Sequence, residues 1–421
     1  MKHLAFVKTL TQKHRPKFGG LEILKYIGPG FLVTVGFIDP GNWASNLAAG
    51  SSYGYTLLWM ITLSTLMLIV LQHNAAHLGI STGYCISEAA TLHMKPWISR
   101  SLLLSAVSAS VSTALAEILG AAIGLNLLFH IPFRLGTLLV LAFIIWMIFA
   151  NTYRKLERWI IAFVSLIGLS FLFELSLVKI NWTESFTSWV LPQVPLGSIP
   201  LVMSVMGAIV MPHNLFLHSE IIQSRQWNLE GSEVIKKKLN YEFVDTLTSM
   251  LVGWVINSAM IIMAAATFHA HSIRVFSLDQ AQVMLKPLLG SVSAIVFGLA
   301  LLFSGLSSSI TAGMAGGSIF SGLFGEPYQI RDAHSRTGVL ITLIGGTIII
   351  MFIRNPFQGL IFSQMFLSIQ LPWTIFLQIS LTSSKRVMGK YANSLIEKLV
   401  LWAVAITVTI LNILLLLSFF H

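Results

Sequence analysis

The chain has 421 residues, is 55% hydrophobic and is only 10% charged, against about a quarter charged in an ordinary soluble domain. Its mean hydropathy of +0.80, with apolar stretches of about 20 residues from end to end, excludes a soluble globular protein and defines a polytopic helical membrane protein. The single cysteine, Cys85, excludes an internal disulfide and a cysteine-based metal cluster.

Residues 1–26 form a basic tail carrying Lys2, Lys8, Lys13, Arg15 and Lys17. No short apolar segment precedes Tyr26, so no cleavable signal peptide is expected. Eleven spans are predicted near 27–49, 54–79, 101–128, 134–151, 159–179, 198–223, 245–269, 289–322, 337–353, 357–380 and 399–420. The eighth is long enough to tilt. The hydrophilic segments 80–100, 180–197 and 224–244 read as loops or short amphipathic helices.

With the N-terminus in the cytoplasm, all but five of the 26 lysines and arginines fall on the inner side, the exceptions being Arg134, Lys179, Arg274, Lys286 and Arg354. That bias follows the positive-inside rule and leaves His421 outside. The net charge of +10 is therefore topogenic, and neither nucleic acid nor an obligatory protein partner is expected. The basic termini and short loops suggest a multi-pass protein of a bacterial cell membrane.

Two runs interrupt apolar segments: Asp39-Pro40-Gly41-Asn42 in span one and Met211-Pro212-His213-Asn214 in span six. A proline within a membrane helix removes a backbone donor and frees a carbonyl, and polar groups beside it must be buried in protein or line a cavity. The breaks lie five spans apart, and an odd offset inverts the second unit. Residues 27–179 and 198–380 then form two inverted repeats, with 399–420 as an added span. Breaks at corresponding places in two halves point to a substrate site at the bilayer midplane.

The chemistry of the breaks suits a metal ion. Asp39 supplies a hard anionic oxygen. Asn42, three residues on, supplies an amide oxygen on the same helical face. Ala208 supplies its carbonyl if Pro212 leaves it without a helical partner, and Met211 supplies a thioether. Oxygen alone would suit Mg²⁺ or Ca²⁺, whereas added sulfur favours transition metals. Mn²⁺ and Fe²⁺ accept both donors and bind weakly enough to be released, as a transported substrate rather than a resident cofactor. The plainer readings are a kink at each proline and packing for Met211. His213 is a candidate proton relay or a packing histidine, and His218 is a weaker candidate relay. Glu117, inside span three, is a relay or a structural hydrogen-bond partner. Glu174 reads as a snorkelling or capping residue, and Asp245 as an acid at the N-terminus of span seven.

The motifs Gly28-Pro29-Gly30, Asp39-Pro40-Gly41-Asn42, Glu117-Ile118-Leu119-Gly120 and the run Gly207 to Asn214, continued by Leu215 to Ser219, together resemble the Nramp family of divalent-metal transporters. Asn257-Ser258-Ala259-Met260, the run Gly305 to Thr311 and Ser363-Gln364 also resemble family positions. The resemblance implies a LeuT-like all-α fold and uptake of Mn²⁺ or Fe²⁺ with protons as co-substrate. It also implies that Gln364 and the Gly36 carbonyl join the ligands in particular states, that His213 and Glu117 serve proton movement, and that Asp39 itself takes a proton. The chain departs from the family at Ala114, where an aspartate is common, at Leu306 in place of a glutamine, and in span nine, which lacks paired internal arginines. Weaker proton coupling, or another proton route, is therefore expected. The rival readings are a transporter of amino acids or another organic solute on the same fold, and a channel. A membrane metalloenzyme is disfavoured because the sequence holds no His-Glu-x-x-His run.

Overall fold

The computed structural model describes residues 38–150, 175–224, 227–229, 231–281 and 291–418, together with Leu166, Leu169 and Phe173. Most of the first half of span one, Gly28-Pro29-Gly30, Gly36, Glu174 and most of span five lie outside the described residues. Every regular element among the described residues is helical.

In chain order these are α1 (Pro40–Tyr53), α2 (Leu58–Thr82), α3 (Ile86–His93), α4 (Pro96–Phe129), α5 (Phe133–Ala150), α6 (Trp182–Val190), α7 (Ile199–Ile209) and α8 (Pro212–Gln223). There follow α9 (Ser232–Thr267), α10 (Ser291–Gly322), α11 (Ala333–Phe352), α12 (Pro356–Thr382), α13 (Lys385–Met388) and α14 (Leu395–Ser418). Nine stretches among the described residues are long and apolar enough to cross a membrane, α7 and α8 counting as one. They coincide with nine of the eleven expected spans; of the other two, span one is described only from residue 38 and span five lies largely outside the described residues.

Local chemistry sets the boundaries. Pro96 and Pro356 open α4 and α12, where a missing N–H costs nothing. Gly83, at φ 77°, closes α2 in the left-handed conformation that glycine tolerates. Span seven differs from expectation. Helix α9 begins at Ser232, so Asp245 is not at a helix N-terminus but lies buried within the helix. The segment 232–244 carries three Lys, two Glu and one Leu, with neither Pro nor Gly, and its helix propensity carries the span back through residues that polarity alone marks as a loop.

Two groups of helices emerge. Helices α1, α2, α7, α8 and α9 pack on one another, as do α4, α5, α10 and α11; α12 lies between the groups and carries α14 on its far side. Pro372 inside α12 deprives the Ser368 carbonyl of its helical donor. Asn412 Nδ2 from α14 donates to that carbonyl at 2.9 Å, so α14 seals a defect in α12. The site expected from sequence falls where the two groups of helices meet.

Candidate metal site at the two helix breaks

Pro40 and Pro212 each start a helix. Ahead of Pro40, Asp39 is extended (φ −75°, ψ 163°), and its carboxylate caps α1 by accepting from the Asn42 N–H. Ahead of Pro212 the chain leaves the helix at Val210 (φ −95°, ψ 71°) and Met211 (φ −75°, ψ 117°). Proline 212 leaves the Ala208 carbonyl, four residues back, with no helical donor. The side-chain amide of Asn42 takes that place, Nδ2 donating to Ala208 O at 2.9 Å. The two breaks therefore meet, and with Nδ2 committed to Ala208 the other end of the amide is its oxygen.

Gln364 from α12 wedges against both breaks. A Cβ on Gly41 would fall 1.8 Å from Gln364 Nε2, and one on Gly207 would fall 1.9 Å from the Gln364 carbonyl. Only glycine permits this approach at either position. The Gln364 Oε1 atom is buried and accepts no hydrogen bond.

Helix α4 closes the opposite side, with Gly120 set directly on the Pro40 ring. Three residues earlier on α4, Glu117 is the buried carboxyl that neighbours Asp39. Ser308 from α10 donates to Glu117 Oε2, while Glu117 Oε1 and Asp39 Oδ2 are both buried without a donor. Ser304, also on α10, donates to the Ile38 carbonyl just before the first break. The run Gly305 to Thr311 and its flank thus hold both the break and its facing acid.

Met211 is fully buried. Its sulfur receives a hydrogen bond from Asn214 Nδ2 at 3.5 Å, and its side chain packs with Ala109 and Leu367. The packing reading of this residue therefore has direct support, and its sulfur sits at the edge of the second break. His213 points to α4, where its Nδ1 lies 3.1 Å from the Thr113 hydroxyl, one turn from Glu117. His218 belongs to a different cluster, with Nδ1 2.5 Å from Gln72 Oε1 and Nε2 3.8 Å from Glu242 Oε1.

Asp39, Asn42, Ala208, Gln364 and Glu117 are thus brought together, with Pro40, Gly41 and Pro212 shaping the break. Met211 and His213 border the site, His218 stands apart, and Gly36 lies outside the described residues. Sequence reasoning did not single out Asn46, whose Nδ2 donates to Asn257 Oδ1 at 2.7 Å and ties α1 to α9. It also missed His73 and Glu242, which meet at 2.6 Å; the i, i+4 pair His73 and His77 on an apolar helix was the available signal. Among the described residues no group of three or more His, Cys, Asp and Glu forms a metal cluster. A cation at the breaks would rely on amide, carbonyl and thioether donors beside Asp39.

This is the architecture of a helical membrane transporter in which two interrupted helices meet. The sequence profile of the Nramp family (natural resistance-associated macrophage protein-like) matches residues 30–418, and the chain belongs to that family. It is 36% identical over 415 residues to the divalent metal cation transporter MntH of Caldanaerobacter subterraneus subsp. tengcongensis, covering 96% of each chain. It is 37% identical to the MntH of a Nostoc species, covering 94% of this chain and 91% of the relative. The crystal structure of a manganese transporter from Eremococcus coleocola, in complex with an aromatic bis-isothiourea compound, superposes with a TM-score of 0.79 at 26% identity over 96% of this chain and 88% of that one. Mhp1, a nucleobase-cation-symport-1 family transporter, superposes at 0.65 with 15% identity, covering 92% of this chain and 91% of that one. That likeness is one of fold alone, the LeuT-like fold.

Proposed function

We propose that this protein imports divalent transition-metal ions, Mn²⁺ and also Fe²⁺, across the cell membrane by alternating access. The observation that carries the reading is the contact of Asn42 with the Ala208 carbonyl beside the Asp39 carboxylate, which brings anionic, amide and carbonyl oxygen to one point. Met211 adds sulfur at its edge. A partly dehydrated ion is held by Asp39, the Asn42 oxygen and the Ala208 carbonyl, with Met211 favouring transition metals over Ca²⁺ and Mg²⁺. Gln364, its Oε1 buried and unengaged, joins in the closed state. Residues 27–179 and 198–380 act as inverted repeats. With the N-terminus in the cytoplasm, each elementary charge carried inward gains about 2.3 kcal/mol per 100 mV of membrane potential.

The closeness of Asp39 and Glu117 supports a proton as co-substrate. Two neighbouring ionised carboxylates repel strongly in a buried site, and a proton held by one of them is displaced when a cation arrives at Asp39. His213, hydrogen-bonded to Thr113 one turn from Glu117, lies next along this route. The family homologues favour metal over an organic solute, and the amide and carboxylate crowding at the breaks suits an ion.

The test is ⁵⁴Mn²⁺ uptake into proteoliposomes with Fe²⁺, Cd²⁺, Ca²⁺, Mg²⁺ and amino acids as competitors. Competition by transition metals and more than about ten-fold loss in Asp39→Ala are expected. Competition by amino acids, or near-wild-type uptake by Asp39→Ala, would refute the reading.

A further inference from the structure

The file of polar groups that begins at His218 leads away from the metal site and ends at the cytoplasmic face. Met211, Asn214 and His218 follow one another at three- and four-residue spacing, so they form one stripe down α8. His218 is fully buried. Its Nδ1 faces Gln72 Oε1 at 2.5 Å; an amide oxygen only accepts, so Nδ1 carries a proton and Nε2 is the exchangeable nitrogen. That Nε2 is 3.8 Å from Glu242 Oε1 on α9, a small side-chain rotation from hydrogen-bond range. Glu242, itself 2% exposed, turns its other oxygen to His73 Nδ1 on α2 at 2.6 Å. The His73 ring stacks on that of His77, one turn nearer the cytoplasm, at 6.5 Å between centroids. His77 lines a cavity of about 400 Å³ between the start of α9 and the segment leading into α14.

We propose that His218, Glu242, His73 and His77 form a proton outlet from the region of the helix breaks to the cytoplasm, running between α2 and α9. The proposal rests on the proton-coupled reading above. An imidazolium at His218 gives its Nε2 proton to Glu242 Oε1. Glu242 gives one from Oε2 to His73 Nδ1, and His73 releases one from Nε2 toward His77 and the cavity. Each group yields one proton for each it takes. The other titratable groups on the cavity wall are Glu233 and Lys236 from α9, Lys390 and Tyr391 from the loop after α13, and Glu397 from α14; Asp245, buried one turn beyond Glu242 on α9, is a further acid on the helix that lines the file. Thr246 holds Glu242 Oε1 at 2.6 Å.

Two observations favour a proton over the metal as the traveller. Gln72, His218 and Glu242 are packed and buried, which suits hops between side chains and not passage of a hydrated ion. On the other side of Glu117, α4 meets α11 through backbone contact, a Cβ on Gly346 falling 2.7 Å from the Leu115 nitrogen and 3.0 Å from the Ala114 carbonyl carbon. That interface is closed by small and apolar residues, and the histidine beside the Glu117 turn is His213, on α8, the helix that also carries His218.

The experiment reads Mn²⁺ uptake and internal acidification together in proteoliposomes held at a fixed inside-negative potential. The wild type is compared with Glu242→Gln and with His77→Asn, the second at a half-buried position where folding is not at stake. The expected result is a fall of about ten-fold in protons carried per Mn²⁺ in Glu242→Gln and a smaller fall in His77→Asn, restored by imidazole loaded inside the vesicles. Wild-type acidification with an unchanged proton-to-metal ratio in both variants overturns the outlet while leaving proton coupling intact. Mn²⁺ uptake without acidification in the wild type overturns the coupling itself, and the outlet with it.

Discussion

The side-chain amide of Asn42 donates to the main-chain carbonyl of Ala208 over 2.9 Å, joining the middle of one interrupted span to the middle of the other. Both partners follow from proline: Pro40 opens the helix that carries Asn42, and Pro212 removes the N–H that Ala208 would otherwise have met. Asn412 performs the same service for the Ser368 carbonyl freed by Pro372.

These two asparagines provide an internal comparison. Asn42→Ala and Asn412→Ala each leave a buried carbonyl without a donor, at a cost of about 1–3 kcal/mol. Thermal unfolding in detergent should show similar losses for the two. Only Asn42→Ala should also lose Mn²⁺ binding, measured by titration calorimetry. Equal loss of binding in both would mean that Asn42 acts through stability alone.

The glycines against Gln364 should differ in the same assay. A methyl at Gly207 meets the Gln364 backbone carbonyl, whereas one at Gly41 meets the end of its flexible side chain. Gly207→Ala should therefore cost about 1–3 kcal/mol of stability. Gly41→Ala should fold nearly normally but transport poorly, because the Gln364 amide is displaced from the site. A more stable Gly207→Ala protein would contradict the close approach of α7 and α12.

Met211→Ala should fold, because the cluster it leaves with Ala109 and Leu367 is small. Loss of the thioether should raise Ca²⁺ and Mg²⁺ transport relative to Mn²⁺. An unchanged competition profile would make Met211 a packing residue only.

Glu117→Gln keeps a partner for Ser308 but removes the carboxyl that faces Asp39. Mn²⁺ uptake should persist, with a flatter dependence on external pH than in the wild type. A wild-type pH profile would restrict Glu117 to its hydrogen bond with Ser308.

Much of this site was legible in the sequence because proline leaves an unambiguous local mark. The two x-Pro-x-Asn runs located the breaks, and the spacing of Ala208 from Pro212 identified the freed carbonyl. What lay out of reach was pairing across helices. Nothing near Asn42 says that its amide would meet Ala208 rather than a neighbour in its own turn, and nothing near Glu117 says that it would face Asp39. The His73, Glu242 and His218 cluster takes one residue from each of three helices, so no spacing within a single segment announces it. The early start of α9 was hidden by a different conflict, in which polarity argued for a loop and helix propensity prevailed.

The most direct test of the central claim is anomalous diffraction from crystals of the protein grown with Mn²⁺. The account predicts one strong peak between the breaks, bonded to the Asp39 carboxylate, with the Asn42 oxygen, the Ala208 carbonyl and the Met211 sulfur turned toward it. A peak bound elsewhere, or one at Asp39 with the Asn42 oxygen and the Met211 sulfur turned away from it, would contradict it.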